Sequence, residues 1–144
     1  MKLTSYTDYS LRVLIFLSLN HERLCTSSEI SETYMISRNH LAKIIHQLSR
    51  LGFIKSYKGA SGGIRLAKEP KDINVGLLIK EIEPDFNIVD CFVGDKSKSP
   101  CRLTPHCKLK SIMNESLSLF IQNLEKYTLE DIVENREELL SLFS

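Results

Sequence analysis

The stretch Thr26–Gly52, "TSSEISETYMISRNHLAKIIHQLSRLG", constrains the fold more than any other part of this chain. Thr26 is placed to accept from the amide of Glu29, and the Glu29 carboxylate to reach back to the amide of Thr26, a reciprocal pair that starts a helix. That spacing predicts a short helix over Ser27–Tyr34. After the link "MI", Ser37 is a second good N-cap. Leu41, Ile44, Ile45, Leu48 and Leu51 then recur at helical steps along "RNHLAKIIHQLSRL", and Gly52 stands where a helix-ending glycine belongs. Two helices so tightly joined, the second amphipathic and basic, form a helix-turn-helix. The apolar stripe belongs in a core. Arg38, Asn39, His40 and Lys43 are left near the exposed N-terminal end, the part that enters a DNA major groove in this motif.

The flanking segments complete the unit. Ser5–Leu19 is apolar on most sides through Tyr9, Leu11, Val13, Leu14, Phe16, Leu17 and Leu19, so it reads as a buried helix. In "FIKSYKGASGGIRLAK" the strand formers Phe53, Ile54 and Tyr57 face Ile64 and Leu66 across Gly59, Gly62 and Gly63, a hairpin with a permissive tip. A ribbon beside a helix-turn-helix is a wing. Lys58, Ser61, Gly62 and Arg65 sit at or beside its tip, where a cation can reach a narrow minor groove.

Charge agrees. The chain carries 19 Lys and Arg against 18 Asp and Glu, a net charge of +1. Seven of those cations (Arg38, Lys43, Arg50, Lys55, Lys58, Arg65 and Lys68) fall between Ser37 and Lys68, where there is no carboxylate at all. The other 12 share the remaining sequence with all 18 acids, so one basic patch faces an acidic remainder. A window with one sign of charge points to a polyanion, here double-stranded DNA.

Further along, Val75–Ile82 reads as a short helix stopped by Pro84. A long helix from about Pro105 to Lys126 carries Leu109, Ile112, Met113, Leu117, Leu119, Phe120, Ile121 and Leu124, and Thr128 caps a last acidic helical part. The long helix has little of its own chain to pack against, so a second copy is its natural partner. A homodimer also supplies the paired readers that palindromic operators need. The fold class expected is mainly α with a small β-wing. It divides into a winged helix-turn-helix domain (1–82), a cysteine-containing segment (83–107) and a dimerisation helix with tail (108–144). No apolar run reaches the roughly 18 residues of a membrane span, and "VLIFLSL" lacks the flanks of a signal peptide. A cytoplasmic protein is expected, with no membrane partner.

Three of the four cysteines, Cys91, Cys101 and Cys107, lie in the polar, aperiodic stretch "DCFVGDKSKSPCRLTPHC". Thiols kept for packing belong among aliphatic neighbours, and Cys25 reads as such a thiol. In a reducing compartment a thiol cluster favours metal or redox chemistry over structural disulfides. The C-x9-C-x5-C spacing is neither a zinc ribbon nor a thioredoxin motif. Three thiolates can converge on a metal, and iron–sulfur clusters favour thiolate ligands. A fourth ligand would then be of another kind. Neither a nucleophile–base constellation nor a nucleotide-binding glycine fingerprint is present, so no enzyme is expected.

With these residues in hand, the sequence resembles the IscR/NsrR-type winged-helix regulators of bacteria, and within them the nitric-oxide-sensing branch. "MKLTSYTDYSLRVLIFL", "ISRNHLAKIIHQLSRLGFIKSYKGASGGIRLA" and "DINVGLLIKEIEPDFNIVDCF" carry the resemblance over nearly the whole chain. It implies a homodimeric transcriptional repressor of nitrosative-stress genes that binds operator DNA. It also implies an iron–sulfur cluster, [2Fe–2S] or [4Fe–4S], held in each subunit by Cys91, Cys101 and Cys107. In IscR-like members a histidine three positions after the last cysteine is the fourth ligand; here that position is Lys110. In the nitric-oxide branch it is a carboxylate near the start of the first helix of the opposite subunit, where this chain has Asp8. The nine residues between Cys91 and Cys101 exceed the family pattern, although loop closure grows costlier only slowly with length. Two rivals remain at this stage. One is a cluster-free regulator of the same fold that senses oxidants through a disulfide among the three cysteines. The other is a cluster-assembly protein that binds no DNA.

Overall fold

In the computed structural model, which describes residues 1–92, 101–103 and 106–144, the chain begins with helix α1, Ser5–Leu19. Thr4 caps it by accepting from the Thr7 amide at 3.3 Å. Because Val13, Leu14, Phe16, Leu17 and Leu19 are buried, α1 has almost no solvent side from Val13 onward and becomes the axis of the core.

Helix α2, Ser27–Tyr34, starts with the capping box the sequence predicts: the Thr26 amide donates to Glu29 Oε2 at 2.6 Å and the Glu29 amide to Thr26 Oγ1 at 3.2 Å. Partial burial alone would raise the Glu29 carboxyl, but the Thr26 donors and the Arg23 guanidinium, 2.9 Å away, hold it below its ordinary value. Met35 turns the chain into the second helix with φ 54°, left-handed backbone on a non-glycine residue. Helix α3, Arg38–Arg50, buries Leu41, Ile44 and Leu48, and each such side chain contributes about 1.5–3 kcal/mol of transfer free energy. Gly52, with φ 81°, lets the amides of Gly52 and Phe53 reach back to the carbonyls of Ser49 (3.1 Å) and Leu48 (2.9 Å). This is the Schellman closure, and it fixes where the wing leaves the helix.

The wing pairs β1, Ile54–Tyr57, antiparallel with β2, Gly63–Leu66, in the register Ile54↔Leu66 to Tyr57↔Gly63. Cys25 adds a one-residue third strand, its amide and carbonyl bonding those of Ile64 at 2.9 and 2.8 Å. Gly63 permits this approach, since a Cβ there would lie 2.7 Å from the Cys25 carbonyl oxygen. After a 3₁₀ turn at Pro70–Asp72, helix α4, Val75–Ile82, is capped by Asn74, whose Oδ1 accepts from the Leu77 amide at 3.0 Å.

The long helix, α5, is found at Lys108–Leu124; Pro105, where the sequence reading begins it, lies outside the described residues. Its C-terminal end is stapled to the start of α4. Asn74 Nδ2 donates to the Glu125 carbonyl at 2.7 Å, the Val75 amide donates to the Tyr127 carbonyl at 2.9 Å, and Gly76 leaves room for the Glu125 backbone. The acidic tail, read as one helical part, divides into α6, Leu129–Ile132, and α7, Arg136–Ser141. The break at Val133–Asn135 brings Arg136 under the end of α1, where Nε and Nη2 donate to the Leu19 carbonyl at 3.1 and 2.9 Å. Phe143 then closes on Phe16 and Tyr34, each with ring centroids 5.9 Å away, and burial there pushes the Tyr34 hydroxyl up to about 12.

Leu129 is fully buried in the same cluster as α1 and α3. Leu129→Ala should therefore lower unfolding free energy by about 2–5 kcal/mol, measured by urea denaturation. Met35→Gly removes the strain of an exposed left-handed residue and should raise stability by up to about 1 kcal/mol in the same assay.

Candidate nucleic-acid interface and cysteine segment

With Leu41, Ile44 and Leu48 turned inward, α3 presents Arg38, Asn39, Ala42, Lys43 and His46 to solvent. Arg38, Ala42 and His46 stand four residues apart on one ridge. The sequence reading missed Ala42 in that ridge and left His46 unassigned, although the 3.6-residue period extended from Arg38 finds both. His40 is half-buried, its ring edge-on to Tyr9 of α1 at 5.2 Å between centroids. On the wing, Lys58, Ser61 and Arg65 are exposed and Gly62 is half-buried. Arg65 Nη2 lies 3.5 Å from the His21 carbonyl, and Lys68 rests over the Phe53 ring at 5.0 Å, bracing the base of the ribbon. The cations predicted to meet DNA thus come from α3 and the wing, and no carboxylate intrudes between Ser37 and Lys68.

Between α3 and the wing lies a cleft of about 530 Å³, with Arg38, Ala42, His46 and Ser49 on one wall and Ser56, Tyr57, Gly63 and Ile64 on the other. Thr26 and Ser27, at the start of α2, form one end.

The thiols occupy contrasting surroundings. Cys25 is fully buried, and burial pushes its thiol up, countered in part by Arg23. Cys91 is half-buried in the 3₁₀ turn Asp90–Phe92, Cys101 is exposed, and half-buried Cys107 stands at the N-cap position of α5. Asp8, in the first turn of α1, pairs with Arg12 at 3.0 Å, and the Arg12 guanidinium lies 5.7 Å over the Tyr9 ring. Among the described residues, no three His, Cys, Asp or Glu side chains are brought together in one chain. The donor chemistry nonetheless suits an iron–sulfur cluster: three thiols outside the apolar core, with a carboxylate at the surface of α1.

The segment that carries these thiols is anchored at its root. Glu83, the last residue of α4's cap and 7% exposed, accepts from the Thr4 amide at 3.1 Å and from Thr4 Oγ1 at 3.2 Å. The helix bearing Asp8 and the segment bearing the cysteines therefore start from one shared joint.

A helix-turn-helix, a two-stranded wing and an acid-free basic face define a winged-helix DNA-binding regulator. Comparison with known proteins agrees. The Rrf2 family model, described as an iron-dependent transcriptional regulator, matches residues 3–135, and the chain belongs to that family. It is 49% identical over 143 residues to the HTH-type transcriptional regulator NsrR of Bacillus subtilis, covering 99% of this chain and 97% of that one. The regulator of the same name from Bacillus licheniformis is 48% identical over 145 residues, with full coverage of both. Among solved structures, T. potens IscR superposes with a TM-score of 0.75 at 25% identity over 96% of this chain and 90% of that chain. The oxidised form of Staphylococcus aureus CymR, at 22% identity over 93% of this chain and 97% of that chain, shares the fold with a TM-score of 0.72. This protein is a transcriptional regulator, which sets aside the cluster-assembly protein that binds no DNA. No helix among the described residues is long and apolar enough to cross a membrane.

At the wing tip, a Cβ on Gly62 would run into the Tyr57 carbonyl oxygen and the Lys58 backbone. Gly62→Ala must open the hairpin tip there, at a half-buried position just beyond the last strand pair, Tyr57↔Gly63. We expect a loss of about 1–3 kcal/mol in binding to duplex DNA, the value of one groove contact, by fluorescence anisotropy, with an unchanged melting temperature.

Proposed function

We propose that this chain is a homodimeric, DNA-binding repressor of nitrosative-stress genes whose iron–sulfur cluster is the receptor for nitric oxide. Cys91, Cys101 and Cys107 hold the cluster, with Asp8 of the second subunit as fourth ligand. The family's description as iron-dependent supports the metal. Lys110, where a histidine would stand in IscR-like members, together with Asp8, supports the nitric-oxide branch. When bound, the cluster supplies an iron centre with which nitric oxide reacts.

One observation carries the coupling to DNA. Asp8 pairs with Arg12, Arg12 lies over Tyr9, and Tyr9 abuts His40 at the entry to the recognition helix. Asp8 thus has two uses. As seen here its carboxylate holds Arg12; committed to a metal, it leaves Arg12 to lean on Tyr9 alone. Either use changes what presses on His40, and with it the seat of Arg38, Asn39 and Lys43 against the major groove. On the wing, Lys58, Ser61, Gly62 and Arg65 serve the minor groove.

The second subunit follows from α5. Leu109, Ile112, Leu119 and Phe120 are between 42% and 62% exposed on this helix, an apolar stripe that water disfavours and a second copy of α5 would cover.

The test is made without oxygen. Purified protein should be coloured, contain iron and sulfide, elute as a dimer and bind its promoter. Nitric oxide should bleach it and weaken binding by about 5- to 150-fold, the usual range for coupled sites. Serine at Cys91, Cys101 and Cys107 together should abolish both colour and response. Wild-type protein that is colourless and iron-free, yet binds its promoter equally well with and without nitric oxide, would overturn the sensing half.

A further inference from the structure

The cleft between α3 and the wing presents an unusual lining for a basic face. Its side chains include hydroxyls from three elements: Ser27 at the start of α2, Ser49 near the end of α3 and Ser56 in β1. Arg38 and His46 stand on its α3 wall, and no carboxylate lines it. Ser56 pairs with Ile64 and lies two residues from buried Ile54, so the alternation of a strand turns it toward α3. Ser49 Oγ is buried and has no hydrogen-bond partner among the described residues. A helical serine ordinarily returns its proton to the carbonyl four residues back, as Ser10 does to Tyr6 at 2.8 Å. Leaving such a hydroxyl unpaired costs stability.

We propose that this cleft seats one phosphodiester strand of the duplex, held by the neutral donors Ser27, Ser49 and Ser56 between the two cationic readers. The proposal rests on the DNA-binding reading above and adds residues to it. With α3 in a major groove and the wing in the adjacent minor groove, the strand that separates those grooves must pass between the two elements, where the cleft is. Its phosphate oxygens are acceptors only; the exposed hydroxyls of Ser27 and Ser56 can donate to them directly, and the buried, unpaired Ser49 hydroxyl can do so once its side chain turns into the cleft. Such contacts fix position without reading sequence. They also release no counterions, since salt dependence counts neutralised charges. The cleft therefore adds affinity that salt does not screen.

The test uses the full chain, its holo form prepared without oxygen, and two labelled duplexes: one selected from a random library and one of mixed sequence. Ser49→Ala combined with Ser56→Ala should weaken binding to both by the same factor, about 5- to 50-fold for two hydrogen bonds lost. The slope of log affinity against log salt should stay at the wild-type value, while Arg38→Ala and Lys43→Ala each flatten it. Ser49→Ala alone should raise the melting temperature, because it removes an unpaired hydroxyl from the fold. Ser56→Ala, on an exposed strand, repeats the measurement should the double variant fold poorly. Unchanged affinity, a loss confined to the selected duplex, a flatter salt slope or a lowered melting temperature for Ser49→Ala would each overturn the cleft. Wild-type protein that binds neither duplex would instead remove the DNA-binding reading itself.

Discussion

The structure depends on α1 having almost no solvent side from Val13 onward. Because Val13, Leu14, Phe16, Leu17 and Leu19 are buried, the helix must be wrapped, and α2, α3, β2, α6 and α7 all pack on it. Wrapping fixes the reader: α3 can bury its Leu41–Ile44–Leu48 stripe against α1 only with the Arg38 ridge turned outward. It also makes the two ends of α1 sensitive points. The N-terminal end is joined to Glu83 through Thr4, and the C-terminal carbonyl of Leu19 is held by Arg136. A shift at either end has no slack in which to dissipate, since close-packed interiors transmit displacement rather than absorb it.

Local chemistry made much of this legible in the sequence. Thr26 with Glu29, Ser37, Gly52 and Thr128 each act within a few residues, so their meaning survives without knowledge of the fold, and the helices they bound stand where those signals put them. The winged helix follows because the wing's glycines and the stripe on α3 are equally local. What could not be read depends on distant partners. Arg136 and Leu19 are 117 positions apart, and nothing in "ENREELL" announces that its arginine ends another helix. The division of the tail into α6 and α7 has the same origin, because only a break near Asn135 brings Arg136 to that carbonyl. The cleft was hidden for another reason. Charge draws attention to Arg38 and Lys43, whereas Ser49 and Ser56 are ordinary in sequence and become notable only when two elements face each other.

The four cysteines show how surroundings, not residue type, set chemistry. Cys25 is committed to the backbone of Ile64 and sits in an apolar cluster where the thiolate is disfavoured. That leaves it a packing residue, as its sequence neighbours suggest. Cys91 lies half-buried in a 3₁₀ turn and Cys107 half-buried at the N-cap position of α5, with Cys101, which is exposed, between them in sequence. Thiols outside the apolar core are open to metals or oxidants in a way that the buried Cys25 is not.

The cysteine segment is tied to the reader at one end and to α5 at the other, and α5 returns to the reader through Asn74 and Gly76. The result is a closed mechanical loop: α4, segment, α5, and back to the start of α4. A change in the segment's span cannot be taken up by sliding α5 at its far end, since a Cβ-free position at Gly76 is already filled by the Glu125 backbone. It must act at the near end, on Glu83 and so on Thr4, four residues before Asp8. A strain on the segment's near end would therefore reach the N-terminal turns of α1, where Tyr9 touches His40.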